Sequence, residues 1–161
     1  NHNTVTINGE DYNDLNKGLF HVNWKTRSEL NKWETNNNSI QFIGKNKLIN
    51  GISIIRTIEY VFQSQLFIIT DNVIGDINDN DKIRSNWHLH PDIKINKSSN
   101  NFYNNDIYLK FDHNQVCNTV DSFYSPQYGI IEKTQSIISR FIKDAEGNFY
   151  SKLIISNNNQ S

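Results

Sequence analysis

ISIIRTIEYVFQSQLFIITDNVI, residues 52–74, is the stretch that decides the fold. Two apolar runs rich in β-branched and aromatic residues, Ile52 to Phe62 and Leu66 to Ile74, flank the short polar connection Gln63-Ser64-Gln65. Runs of this length and composition read as strands, and so short a connection makes them a hairpin. In the first run, Ile54, Thr57 or Ile58, Tyr60 and Phe62 are expected to point one way, with Arg56 and Glu59 near the other face. The continuous apolar stretch Leu66 to Ile69 reads as a strand covered on both faces, as in the core of a sandwich.

Downstream, Asp76 to Asp81 (DINDND) is an acidic, Asn-rich loop. Its alternating carboxylate and amide oxygens suit calcium, but it lacks the central Gly and distal Glu of an EF-hand loop, and a solvated turn is the favoured reading. Ile83 to Leu89 is the next strand and ends at His90-Pro91. Its pleat sets Trp87 and Leu89 on one face and His88 and His90 on the other. Such a His pair can hold a metal, but no third ligand at hairpin spacing is evident, so a hydrogen-bonding or cleft-facing pair is favoured. Ile93 and Ile95 continue the alternation, and Ile107 to Phe111 repeats it. Lys97 to Asn105 reads as a Ser/Asn loop, Val116 to Val120 as a weak strand, and Asp121 to Gly129 as irregular. Gln135 to Ile142 and Asn148 to Ile155 are two further strands around the turn Asp144 to Gly147.

Upstream, Lys45 to Asn50 reads as a basic turn, Ile40 to Ile43 as a strand, and Asn36-Asn37-Asn38 as a turn after Ser28 to Glu34. Leu19 to Val22 is a short strand candidate. Asn3 to Ile7 alternates, and Asn8-Gly9 is a strong hairpin signal because both residues tolerate positive φ. About ten short strands at regular spacing make the chain all-β, an antiparallel sandwich or barrel. One core-bearing domain over 1–156 and a frayed tail over 157–161 fit the 161 residues.

A net charge of −1 gives no overall field for nucleic acid. No run is long and apolar enough to span a bilayer. The lone Cys117 excludes an intrachain disulfide and reads as a small buried residue. Trp24, Trp33, Tyr124 and Tyr128 can stack on sugar rings, with core packing the favoured alternative. His2 stands at the mouth of the first strand. Neutral imidazole is a common metal ligand, but one His is not a site, and a plain polar residue is the other reading.

The stretch Asn1 to Asp11, NHNTVTINGED, resembles the "AHNTVxVDGxDQ" signature of the heparinase II/III-like polysaccharide lyases. Arg56-Thr57-Ile58, then Leu66 to Gly75 (LFIITDNVIG), then Trp87-His88-Leu89-His90-Pro91, resembles that family's "hRxI … L.I.D.v.G … wHL.P" run in the same order. The resemblance selects the sandwich over the barrel, with a supersandwich-like architecture. It implies a bacterial lyase that splits acidic, uronate-containing polysaccharide by β-elimination, working in the periplasm, at the cell envelope or outside the cell. The family's catalytic Tyr, His and Asn lie in an α-helical toroid and the early sandwich, so the resemblance gives this chain no catalytic residue and makes an N-terminal toroid of the same protein its partner. The absence of Met, and an opening inside a motif that the family carries in mid-chain, lead to the expectation of a piece of a longer protein. The family's zinc site is similar to a set of one His from "HxHxD", one Asp from "DxG" and the His of "HNT". Only the last falls here, as His2, preceded by Asn1 where the family has a small residue. Zinc is therefore expected in the full-length protein and not on this chain alone. The alternative from another class is a non-catalytic carbohydrate-binding or scaffold sandwich.

Overall fold

Alternating inward and outward side chains, punctuated by Asn, Asp and Gly turns, build an all-β molecule. The computed structural model describes residues 3–9, 26–48, 51–127 and 129–157. The first strands are β1 (Val5–Ile7), β2 (Thr26–Thr35), β3 (Ser39–Leu48), β4 (Ser53–Val61), β5 (Leu66–Ile74) and β6 (Ile83–His88). There follow β7 (Asn96–Ser98), β8 (Asn101–Tyr103), β9 (Ile107–Phe111), β10 (Cys117–Tyr124), β11 (Glu132–Arg140), β12 (Ile142–Lys143) and β13 (Phe149–Asn157). They form a four-stranded sheet in the order β1-β6-β11-β10 and a nine-stranded sheet in the order β2-β3-β4-β5-β13-β9-β8-β7, with β12 beside β13.

The two sheets share one interior. Val5, Ile7 and Ile83 of the smaller sheet pack with Ile54 and Val73 of the larger. Trp87 and Ile137 pack with Phe102, Phe111 and Leu153. Phe102 and Ile137 are wholly inaccessible to water, and burying side chains of this size stabilises the fold by roughly 1.5–3 kcal/mol each. The sandwich architecture is therefore as expected, with more strands than the sequence announces.

The expected hairpin is present as β4 and β5, in register from Ser53↔Ile74 to Val61↔Leu66. Its faces differ from the sequence reading in two ways. Arg56 is two residues from buried Ile54 and therefore shares the inward face, opposite Asp71 on β5. Strict period-two parity beats residue polarity here, because Asp71 supplies a partner. Leu66 to Ile69 is not covered on both faces: Phe67 is 45% exposed.

Asn8 and Gly9 do turn with positive φ, 55° and 76°. Among the described residues β1 pairs with β6, in the register Val5↔Ser85 to Ile7↔Ile83, and the segment that would follow Gly9 in a hairpin lies outside them. Lys45 to Leu48 belongs to β3, since β2 and β4 flank it on both sides and take up its backbone groups. Lys97 to Asn105 is no plain loop: β7 and β8 make a tight hairpin there, turned by Ser99 at φ 55°. Asp121 to Tyr124 extends β10 along β11. Asn157 is the last residue of β13. Leu19 to Val22, Trp24, Tyr128 and 158–161 lie outside the described residues.

Candidate functional site

The pleat of β6 alternates a buried row, Ile83, Ser85 and Trp87, with an outer row that ends in His88. Pairing with β11 sets Ser136 directly across from His88, and the next outward position on β10 brings Ser122 into reach. The His88 Nδ1 lies 2.7 Å from Ser136 Oγ and 3.3 Å from Ser122 Oγ. Two hydroxyls on one ring nitrogen fix the rotation of the imidazole.

Asn3 joins this corner from β1's leading end. Its side-chain oxygen accepts the His88 backbone N–H at 2.7 Å. Its main-chain carbonyl accepts from Arg56 Nη1, also at 2.7 Å. Arg56 in turn donates from Nε and Nη2 to the two Asp71 carboxylate oxygens, at 2.6 and 2.8 Å. Asp71 is 1% exposed, so this two-pronged pair is what makes a buried carboxylate tolerable. The guanidinium also lies over the Trp87 ring, 4.9 Å from its centroid. The two stretches singled out in the sequence, Asn3 on one side and Arg56, Asp71, Trp87 and His88 on the other, thus meet in one cluster.

Beside the cluster opens a cavity of about 880 Å³. Its polar lining is Asn3, His88, His90, Tyr124 and Ser125, and its apolar wall is Leu89, Phe123 and Ile131. His90 meets Tyr124 edge to face, ring centroids 5.0 Å apart, and its Nδ1 lies 3.4 Å from an Asp92 carboxylate oxygen. The expected split of Trp87 and Leu89 from the two His side chains is what the chain delivers, and both His residues line the cleft.

Sequence reasoning passed over Gln115. It is 2% exposed, and its amide nitrogen donates to the Ser139 and Ser151 hydroxyls while its oxygen accepts from the Lys152 and Asp112 amides. Ser85 lies 3.4 Å from Ser151 and accepts from the Trp87 indole at 3.0 Å. This buried polar net ties both sheets together. Polar residues spaced along otherwise ordinary strands gave no warning of it.

Oxygens of the DINDND loop are taken up by protein donors, one within the loop and two beyond it. Asp81 accepts from the Asn78 backbone and from the Asn8 side chain, both at 2.9 Å, and Lys143 pairs with Asp79. The Asn8 amide holds the Asp81 carboxyl below the usual aspartate range, with the Asn78 backbone adding to it. Cys117 is buried as expected, and desolvation pushes its thiol up. Trp33 departs from the favoured core reading: it is 66% exposed, edge-on to Phe42. His2 lies outside the described residues. Among the described residues no three His, Cys, Asp or Glu side chains converge as a metal site, and no helix is long and apolar enough to cross a membrane.

The family model described as heparinase II/III-like, C-terminal, matches residues 1–155. Among solved structures, a heparinase III gene product is 19% identical with a TM-score of 0.73, over 97% of this chain and 24% of that one. A heparan sulfate lyase HepC mutant from Pedobacter heparinus is 18% identical with a TM-score of 0.68, over 81% of this chain and 22% of that one. A further heparinase III is 17% identical with a TM-score of 0.71, over 97% and 23%. At such identities the likeness is one of fold. This chain spans about a quarter of the length of these structures. No curated protein matches it.

Proposed function

This chain belongs to the heparinase II/III-like C-terminal family, and from that premise we propose that it is the sandwich portion of a polysaccharide lyase. The reaction proposed for the full-length protein is β-elimination on an acidic, uronate-containing polysaccharide. A base removes the proton beside the uronate carboxyl, negative charge builds on that carboxyl, and an acid protonates the departing sugar oxygen. The acid and base belong to upstream polypeptide under this reading, and the sandwich forms and braces one wall of the cleft. The location proposed with this reading is the bacterial periplasm, the envelope or outside the cell, as the family resemblance implies.

The observation that carries the reading is the convergence on Asn3. The opening motif and the Arg56-to-His88 motifs are held to one another by the Arg56 and His88 hydrogen bonds. In the full-length protein His2, the residue before Asn3, would supply one zinc ligand and upstream residues the others, as the resemblance of the opening motif implies. Zinc there would tie the sandwich to its upstream partner.

The test is to incubate the full-length protein with several uronate polymers and follow the ultraviolet absorbance of the unsaturated product. Product from the full-length protein and none from this chain alone is the expected result. Activity from this chain alone, or none from the full-length protein on any uronate polymer, refutes the reading. His2→Ala is expected to lower zinc content and thermal stability together, and an unchanged zinc stoichiometry removes the ligand role. A second reading, a non-catalytic carbohydrate-binding sandwich, is favoured by one observation, the exposed indole of Trp33 against Phe42.

A further inference from the structure

We infer that the cavity between His88, His90 and Tyr124 is a saccharide subsite that seats one pyranose ring of the acidic polymer. The inference rests on the lyase reading above and gives this chain a direct part in holding the substrate. A pyranose presents two kinds of surface: C–H faces, which pack on aromatic and aliphatic groups, and hydroxyl edges, which need donors and acceptors. The cavity's lining offers both. Phe123 and Ile131, 57% and 72% exposed, and Leu89 supply apolar surface. His88, His90, Tyr124, Asn3 and Ser125 supply imidazole, phenol, amide and hydroxyl groups. At about 880 Å³ it lies within the roughly 300–1,000 Å³ of small-molecule sites.

The polar wall is also pre-set, which is what distinguishes a site from a surface dent. Ser136, 2% exposed, and Ser122 hold the His88 ring. The edge of Tyr124 packs on His90, and Asp92 lies beside it. Asn3 is pinned from both its carbonyl and its side chain. Groups already ordered lose little freedom on binding a sugar. The contacts are to ring faces and hydroxyls and do not require a cation.

The variants are His90→Ala and Tyr124→Ala, with Tyr124→Phe as the milder change, all in the full-length protein. Trp33→Ala probes the competing aromatic on the larger sheet, and thermal melts check that each variant folds. Losing one hydrogen bond and one ring contact is expected to weaken sugar binding about tenfold. If the full-length protein cleaves a uronate polymer, His90→Ala and Tyr124→Ala are expected to raise KM about tenfold with kcat kept, and Trp33→Ala to change neither. Wild-type KM in both cavity variants, or a loss in Trp33→Ala alone, overturns the subsite and leaves the lyase reading standing. If no uronate polymer is cleaved, the lyase reading fails, and calorimetric titration with a hexameric oligomannuronate judges the cavity alone. Binding that the cavity variants weaken supports the subsite, and equal or absent binding overturns it.

Discussion

Replacing Arg56 by Met leaves the Asp71 carboxylate 1% exposed with no countercharge. Two charge-assisted hydrogen bonds to that carboxylate disappear, and so does the one to the Asn3 carbonyl. Breaking a buried pair from one side costs roughly 3–5 kcal/mol. Arg56 itself is 24% exposed, so water reaches its side of the gap and the lower end applies, about 3 kcal/mol. For a domain of this size that is a fall in Tm of roughly 6–12 °C. The double variant Arg56→Met, Asp71→Leu removes both charges, and it should recover most of the loss, because replacing a buried pair by apolar groups is often neutral or better. Urea melts with a constant slope provide the readout. A single variant that costs under about 1 kcal/mol, or a double variant no more stable than the single, refutes the view that the pair is a buried charge satisfied by one partner.

Three other perturbations probe different parts of the molecule. Gly75 has φ 133°, and a Cβ there would meet the Ile52 Cα at 2.9 Å, so Gly75→Ala is expected to cost at least ~1–3 kcal/mol in the same melts. Gln115→Leu removes the acceptor of the Lys152 amide and one partner from each of two serine hydroxyls, for about 3 kcal/mol, with a matching loss of hydrogen-exchange protection at Lys152. The Asp144 carboxyl is held below the ordinary aspartate range, first by the Asn148 backbone amide. A depressed carboxyl contributes fully above its unfolded pKa and loses that contribution as pH falls through the folded one. The turn before β13 should therefore loosen only in strong acid, and Asp144→Asn should abolish that dependence in exchange rates measured at Gly147.

The strands read most fully from sequence were those with β-branched and aromatic residues, β4, β5, β6, β9, β11 and β13, while β1, β3 and β10 were read only in part. Those missed were polar. β7 and β8 are written Asn, Lys, Ser and Asn, Phe, Tyr, and only the full burial of Phe102 reveals why they are there. Propensity describes a half-buried surface, so a strand held mainly by its neighbours' backbone looks like a loop. The Asn8-Gly9 turn was legible as a turn, but the pairing of β1 with β6 was not, since Val5 meets Ser85 and Ile7 meets Ile83 across a sequence separation that no local pattern encodes. Of the site, the His88 and His90 face followed from parity alone. The inward Arg56 did not, because its polarity argued against the face that its position assigns. The Gln115 net left no trace in sequence, since its members are ordinary Ser and Gln side chains whose burial depends on the packing of the two sheets.

The serines at 85, 139 and 151 all answer, directly or through a neighbour, to a single carboxamide. Change in this lineage at any one of them is therefore not a private event. Ser151→Ala alters what Gln115 must do for Ser139, so the tolerance of each position is conditional on the state of the others. Across relatives these four sites should be swapped as a group or left alone, and chimeras that split them between two parents should be the ones that fail to accumulate.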